Sequence, residues 1–80
     1  MDRVKIEEIV NEFLIDEFEI EADLVTGDAK LADDLEIESL DFVDIVVIIE
    51  KEFNFKVVRE EMNHVRTLND LYEYIEQRAK

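Results

Sequence analysis

The residues best equipped for chemistry gather around one serine. Ser39 stands in the run Asp34-Leu35-Glu36-Ile37-Glu38-Ser39-Leu40-Asp41-Phe42-Val43-Asp44, crowded by the carboxylates of Glu36, Glu38, Asp41 and Asp44. A hydroxyl in such a setting has three uses. As a catalytic nucleophile it needs a base within reach and a third group that orients the base. The chain has one histidine, His64, in a different segment, and no glycine-rich elbow stands near Ser39. That use is set aside. As a helix cap, a serine oxygen accepts a backbone N–H. As an attachment point, the hydroxyl carries a group added by another enzyme. Residue pattern alone puts the cap first and leaves the attachment open.

The other reactive side chains offer less. Paired carboxylates do acid–base work only where a desolvated cleft shifts their pKa, and an acidic face in water is the simpler account of Glu36, Glu38, Asp41 and Asp44. Asp28, Asp33 and Asp34 do not have the alternating ligands, sixth-position glycine and terminal glutamate of a calcium loop. A lone histidine has no partners for a metal. No metal site is therefore read. The chain has no cysteine, so any thiol it uses must come from a cofactor.

Several elements must position Ser39. With Ser39 as origin and about 100° per residue, Phe42, Ile45, Val46, Ile49 and Phe53 share one arc of a helix running from Ser39 or Leu40 to Phe53. Leu40, Val43 and Val47 fall on the other side, beside Asp44 and Lys51. A helix apolar on both faces is either fully buried or offers the second face to a partner. In so short a chain the second option is the expectation. Upstream, Ile6, Ile9, Val10, Phe13 and Leu14 mark a helix from Val4 to about Phe18. A long connection follows, from Glu19 to about Glu38. It holds the only glycine, Gly27, as its turn, is pinned by Ile20, Leu24, Val25, Leu31 and Leu35, and has room for a helical turn near Lys30–Leu35.

Downstream, Phe55, Val57 and Val58 read as an extended anchor, and Arg59 to Val65 as a short helix. Thr67 and Asp70 form a capping pair ahead of a last amphipathic helix through Leu68, Leu71, Tyr72, Tyr74 and Ile75, with Gln77 to Lys80 fraying. Phe42, Phe53, Phe55 and Tyr72 are expected in the core. The fold class is all-α, a three- to four-helix bundle with a long loop between its first two helices.

Eighty residues make one domain, 1–80, with a modest core. The net charge of −14 argues against nucleic-acid binding and for steered, salt-sensitive association with basic surfaces. Ile45–Ile49, the longest apolar run, is far too short to span a bilayer, and the N-terminus lacks a signal-peptide core. A cytoplasmic monomer is expected.

The stretch Asp34–Asp41 resembles the acyl carrier protein signature, in which an Asp-Ser-Leu triplet bears a 4′-phosphopantetheine arm on its serine. The resemblance extends over essentially the whole chain in length, charge and order of elements. It implies a bacterial stand-alone carrier, not an enzyme, with 4′-phosphopantetheine covalently attached to Ser39. Acyl cargo would ride on the arm as a thioester, for fatty acid, polyketide or related lipid synthesis. The implied partners are a phosphopantetheinyl transferase and acyl-loading and acyl-elongating enzymes with basic docking surfaces. Those enzymes would read Glu36, Glu38, Leu40, Asp41, Val43, Asp44 and Val47. Glu38 stands where the family usually has Asp, Glu36 where it often has Gly, and Lys51 where many members carry an acid. Glu38, Lys51 and Phe42 lean toward a specialised carrier. The competing expectation is an unmodified acidic helical adaptor or inhibitor of a basic partner, with Ser39 only a cap.

Overall fold

The computed structural model describes residues 2–79, and the fraying expected of Lys80 lies outside them. Four α-helices are found: α1 (Arg3–Phe18), α2 (Ser39–Phe53), α3 (Arg59–Met62) and α4 (Leu68–Arg78), with a 3-10 turn at Ala22–Leu24. No β-strand occurs among the described residues, and the only bridge there pairs Lys30 with Thr67. The all-α reading with a long first connection is what the chain adopts.

Each main helix turns one apolar stripe inward. Ile6, Val10, Phe13 and Leu14 do so on α1, Ile45, Val46, Ile49 and Phe53 on α2, and Leu68, Leu71, Tyr72 and Ile75 on α4. These spacings follow the helical period. Helices α1 and α4 pack against each other. Arg3 fastens their ends, pairing with Glu7 at 3.1 Å and Glu76 at 3.6 Å and lying 5.2 Å over the Tyr72 ring. Tyr72 donates its hydroxyl proton to Asn11. Burying one Ile or Phe stabilises by roughly 1.5–3 kcal/mol, against well under about 1 kcal/mol for a half-exposed ion pair. Packing therefore sets the helix positions and Arg3 trims them.

The connection from Glu19 to Glu38 is stitched down rather than free. Leu31 N–H donates to Arg66 O at 2.9 Å, Leu68 N–H to Ala29 O at 3.1 Å, and Asn69 N–H to Gly27 O at 2.9 Å. Ala29, Leu31, Leu35 and Ile37 are buried beneath it. The helical turn expected at Lys30–Leu35 is present as a single turn: Asp34 N–H donates to Lys30 O, the i→i+4 bond of a helix, Leu35 N–H donates to the same oxygen, and Lys30 N–H donates to the Asp34 carboxylate. Gly27 does sit in a turn, but not because its backbone is left-handed. A Cβ there would stand 2.5 Å from Asn69 Oδ1, so a larger residue would have to turn the Asn69 amide aside.

Two expectations need correction. The short helix read as Arg59–Val65 ends at Met62, because Asn63, His64 and Val65 take i→i+3 hydrogen bonds that tighten into turns. Residues 55–58 form the expected extended anchor, with Phe55 and Val57 packed on the core. Val57 N–H donates to a Glu50 carboxylate oxygen at 2.9 Å and Val58 N–H to the Tyr74 hydroxyl oxygen at 3.1 Å, so side chains take the place of a ladder. Tyr74 in turn donates to Glu61 at 3.0 Å, and Arg78 pairs with Glu61, which holds α3 against α4. Helix α4 also runs through the stretch expected to fray, and Ala79 is buried with its N–H on Ile75 O.

The capping pair at α4 is present in both directions. Asp70 N–H donates to Thr67 Oγ1, and Thr67 N–H to Asp70 Oδ2, each at 3.2 Å. Arg66 N–H adds a bond to the same carboxylate oxygen at 3.1 Å. The backbone N–H groups of Arg66 and Thr67 hold the Asp70 carboxyl below its ordinary value of 3.8. A depressed carboxyl pKa contributes stability that is whole above 3.8 and is lost as pH falls below it. Asp70→Asn is therefore expected to lower the urea midpoint at neutral pH, with the gap from wild type closing as the solution is acidified through that range. A gap independent of pH would remove the carboxylate as its cause.

Candidate functional site

Ser39 is the first residue of α2 and is exposed. The position before it, the cap, belongs to Glu38. Asp41 Oδ2 accepts from Glu38 N–H at a long 3.5 Å, closing the turn from the other side. The capping role read for the serine thus falls to its acidic neighbours, and the Ser39 hydroxyl is not tied up as the cap. The strand of chain that delivers it is fixed, with Ile37 buried and its N–H on Leu31 O at 3.0 Å.

Glu36 takes a left-handed backbone, φ 54°. Glu19, ending α1, and Asn54, ending α2, do the same. Asparagine tolerates this conformation, whereas it costs an ordinary residue roughly 1–2 kcal/mol. The resemblance noted above puts Glu36 where glycine is often found, and a positive φ suits glycine. Leu35 and Ile37 on either side of it are buried, while Glu36 stays in water.

A cavity of about 370 Å³ opens beside Ser39. Its rim carries Glu38, Ser39, Arg59 and Asn63, and its interior carries Ile37, Phe42, Val46 and Met62. Phe42, expected as plain core, is only half-buried because its ring faces this space. Arg59 and Asn63 were not read as site residues. The only local signal was that Arg59 is a cation in a strongly acidic chain, and nothing in sequence places α3 across from Ser39. Among the described residues the ion pairs engage Arg3 and Arg78, so Arg59 is left to the cavity rim.

The outward side of α2 is as the helical wheel requires. Leu40 is 79% exposed, Val47 56% and Val43 40%, values that leave an apolar strip in water. Glu36, Glu38 and Asp44 are exposed around it and Asp41 is half-exposed. The fold thus brings all seven expected docking residues and Ser39 onto one end and flank of α2. Among the described residues no cluster of His, Cys, Asp and Glu is arranged to hold a metal ion, and no helix is long and apolar enough to cross a membrane.

Comparison with known proteins agrees with this geometry. Residues 8–75 match the family described as the phosphopantetheine attachment site. The chain is 39% identical over 71 residues to an acyl carrier protein of Akkermansia muciniphila, spanning 89% of each chain. The chain belongs to the acyl carrier protein family. It is also 33% identical over 76 residues to the acyl carrier protein of Porphyromonas gingivalis, spanning 95% of this chain and 97% of that one. With that of Bdellovibrio bacteriovorus it shares 30% identity over 71 residues, 89% of this chain and 91% of that one. Its cofactor is accordingly 4′-phosphopantetheine, and its role is that of a carrier rather than an enzyme.

The residues present fit that group. An exposed hydroxyl at a helix N-terminus meets a phosphodiester with unpaired N–H groups and the positive end of the helix dipole. The adjoining cavity has a polar rim and an apolar interior.

The strain at Glu36 gives a prediction. Glu36→Gly should raise the unfolding free energy by about 0.5–1 kcal/mol, the net of relieved strain and glycine's larger unfolded-state freedom. Urea titration checks it, and equal or lower stability would show that the turn carries no strain.

Proposed function

We propose that residues 1–80 form one carrier domain with 4′-phosphopantetheine on Ser39. The domain carries acyl intermediates as thioesters and presents them to enzymes of fatty acid, polyketide or related lipid synthesis. The observation that carries this reading is the position of Ser39: exposed, first in α2, and on the rim of a cavity with an apolar interior. When attached, the group supplies a terminal thiol on a flexible arm, chemistry this cysteine-free chain lacks. In the modification, Ser39 Oγ bonds to phosphorus, the adenosine bisphosphate half of coenzyme A leaves, and the transferase takes the hydroxyl proton. Here the α2 N-terminus and Arg59 favour the added negative charge, while Glu38 and Asp41 oppose it.

Glu38 and Asp41 make better sense as contacts for a basic enzyme. The proposed docking face centres on Leu40, Val43 and Val47, fringed by Glu36, Glu38, Asp41 and Asp44. Apolar contact in the middle and charge at the rim is how a transient interface combines affinity with steering. The tether then raises the effective concentration of cargo at each docked enzyme. The net charge of −14 opposes self-association, so the reading is of a monomer, in the cytoplasm.

Incubation with coenzyme A and a broad-specificity phosphopantetheinyl transferase is expected to add one phosphopantetheine to the wild type and none to Ser39→Ala, read by intact mass. The variant should fold normally, since Glu38 and not Ser39 occupies the cap. No gain with several transferases, or a gain in the variant, would overturn the assignment. Asp44→Lys should lower the transferase's kcat/KM several-fold at low salt, with the gap closing as salt screens the pair. Equal efficiency at low salt would count against the docking face.

A further inference from the structure

The cavity beside Ser39 has a larger neighbour of about 510 Å³, and the two share three lining residues, Ala32, Ile37 and Phe42. Ala32 is small, and Ile37 is buried and held by its backbone bond to Leu31. Phe42 is the bulkiest of the three, one turn beyond Ser39 on α2 and only half-buried. Its ring is the side chain most able to keep the two spaces apart.

We propose that Phe42 is a partition that sets how deep an acyl chain tethered at Ser39 can lie. The proposal rests on the carrier reading of the same site. The occupant follows from the order of the lining: polar groups at the mouth (Glu38, Ser39, Arg59, Asn63), apolar ones within (Ile37, Phe42, Val46, Met62). A polar tether with an apolar tail meets that order. A tail that fills the first cavity next meets the Phe42 ring and must displace it from its packing. Beyond the ring, Leu31 and Val65 offer further apolar wall, edged by Lys30, Asp33, Arg66 and Asp70.

The test loads the protein from a series of straight-chain acyl-coenzyme A thioesters, butyryl to tetradecanoyl, and confirms loading by intact mass. Methyl NMR shifts then report where the tail lies. In the wild type, short chains should move Val46 and Met62, and longer ones should leave Leu31 and Val65 unchanged. Thermal stabilisation over the unacylated form should reach a plateau within the series. In Phe42→Ala and Phe42→Leu the longer chains should shift Leu31 and Val65, and the plateau should move to greater length. Phe42→Trp should move it to shorter length. Should the alanine variant fail to fold, the leucine and tryptophan variants carry the comparison.

Wild-type shifts at Leu31 and Val65 with long chains, or one length profile for all variants, would overturn the partition while leaving the carrier intact. Absence of any mass gain would overturn both.

Discussion

Ile37 is fastened at one remove to the start of α4. Its N–H bonds to Leu31 O, and the Leu31 N–H bonds to Arg66 O. Leu68 N–H on Ala29 O closes the same seam. These few backbone bonds decide where a long, irregular connection lies, and buried Leu31, Leu35 and Ile37 keep them out of water. Without the seam, Glu38 and Ser39 would have no fixed approach to α2. The cavity would also lose a wall, because Ala32 and Ile37 line it from the connection. A connection of this length needs its own packing to hold a site, and here that packing is borrowed from the far end of the chain.

The second constraint is the placing of α3. This helix is a single turn, too short to be stable alone. It stays because Met62 is buried and because Tyr74 and Arg78 of α4 hold Glu61. The Tyr74 hydroxyl also accepts from Val58 N–H, which ties the segment leading into the helix. Arg59, Met62 and Asn63 thereby reach the cavity that Ser39 opens onto. Both walls facing α2 thus answer to α4, although α4 supplies no residue to the cavity beside the serine.

Electrostatics and strain are arranged around this frame with different costs. The acidic residues around Ser39 lie in water, where mutual repulsion is screened and the cost is modest. The left-handed backbone at Glu36 is a local cost, set between the buried Leu35 and Ile37. An acidic side chain at that place adds to the charged fringe, so the strain and the proposed docking face meet in one residue.

Much of the molecule was legible in the sequence. The helical period of Ile6–Leu14, Ile45–Phe53 and Leu68–Ile75 fixed which faces are buried, because burial of a continuous stripe outweighs any other local preference. The Thr67–Asp70 cap was legible because both partners lie within one turn. The acidic run around Ser39 and its triplet pointed to the family that the comparisons show.

Tertiary structure alone decided the rest. That a side chain at Gly27 would meet Asn69, that Glu38 rather than Ser39 takes the cap, that α3 stops at Met62, and that Arg59 and Phe42 face the same cavity as Ser39 are all seen only in the folded chain. Two of these, Gly27 with Asn69 and Arg59 with Ser39, bring together residues far apart in the chain. Local pattern states which side chains seek the interior, but only the packed fold states which of them meet.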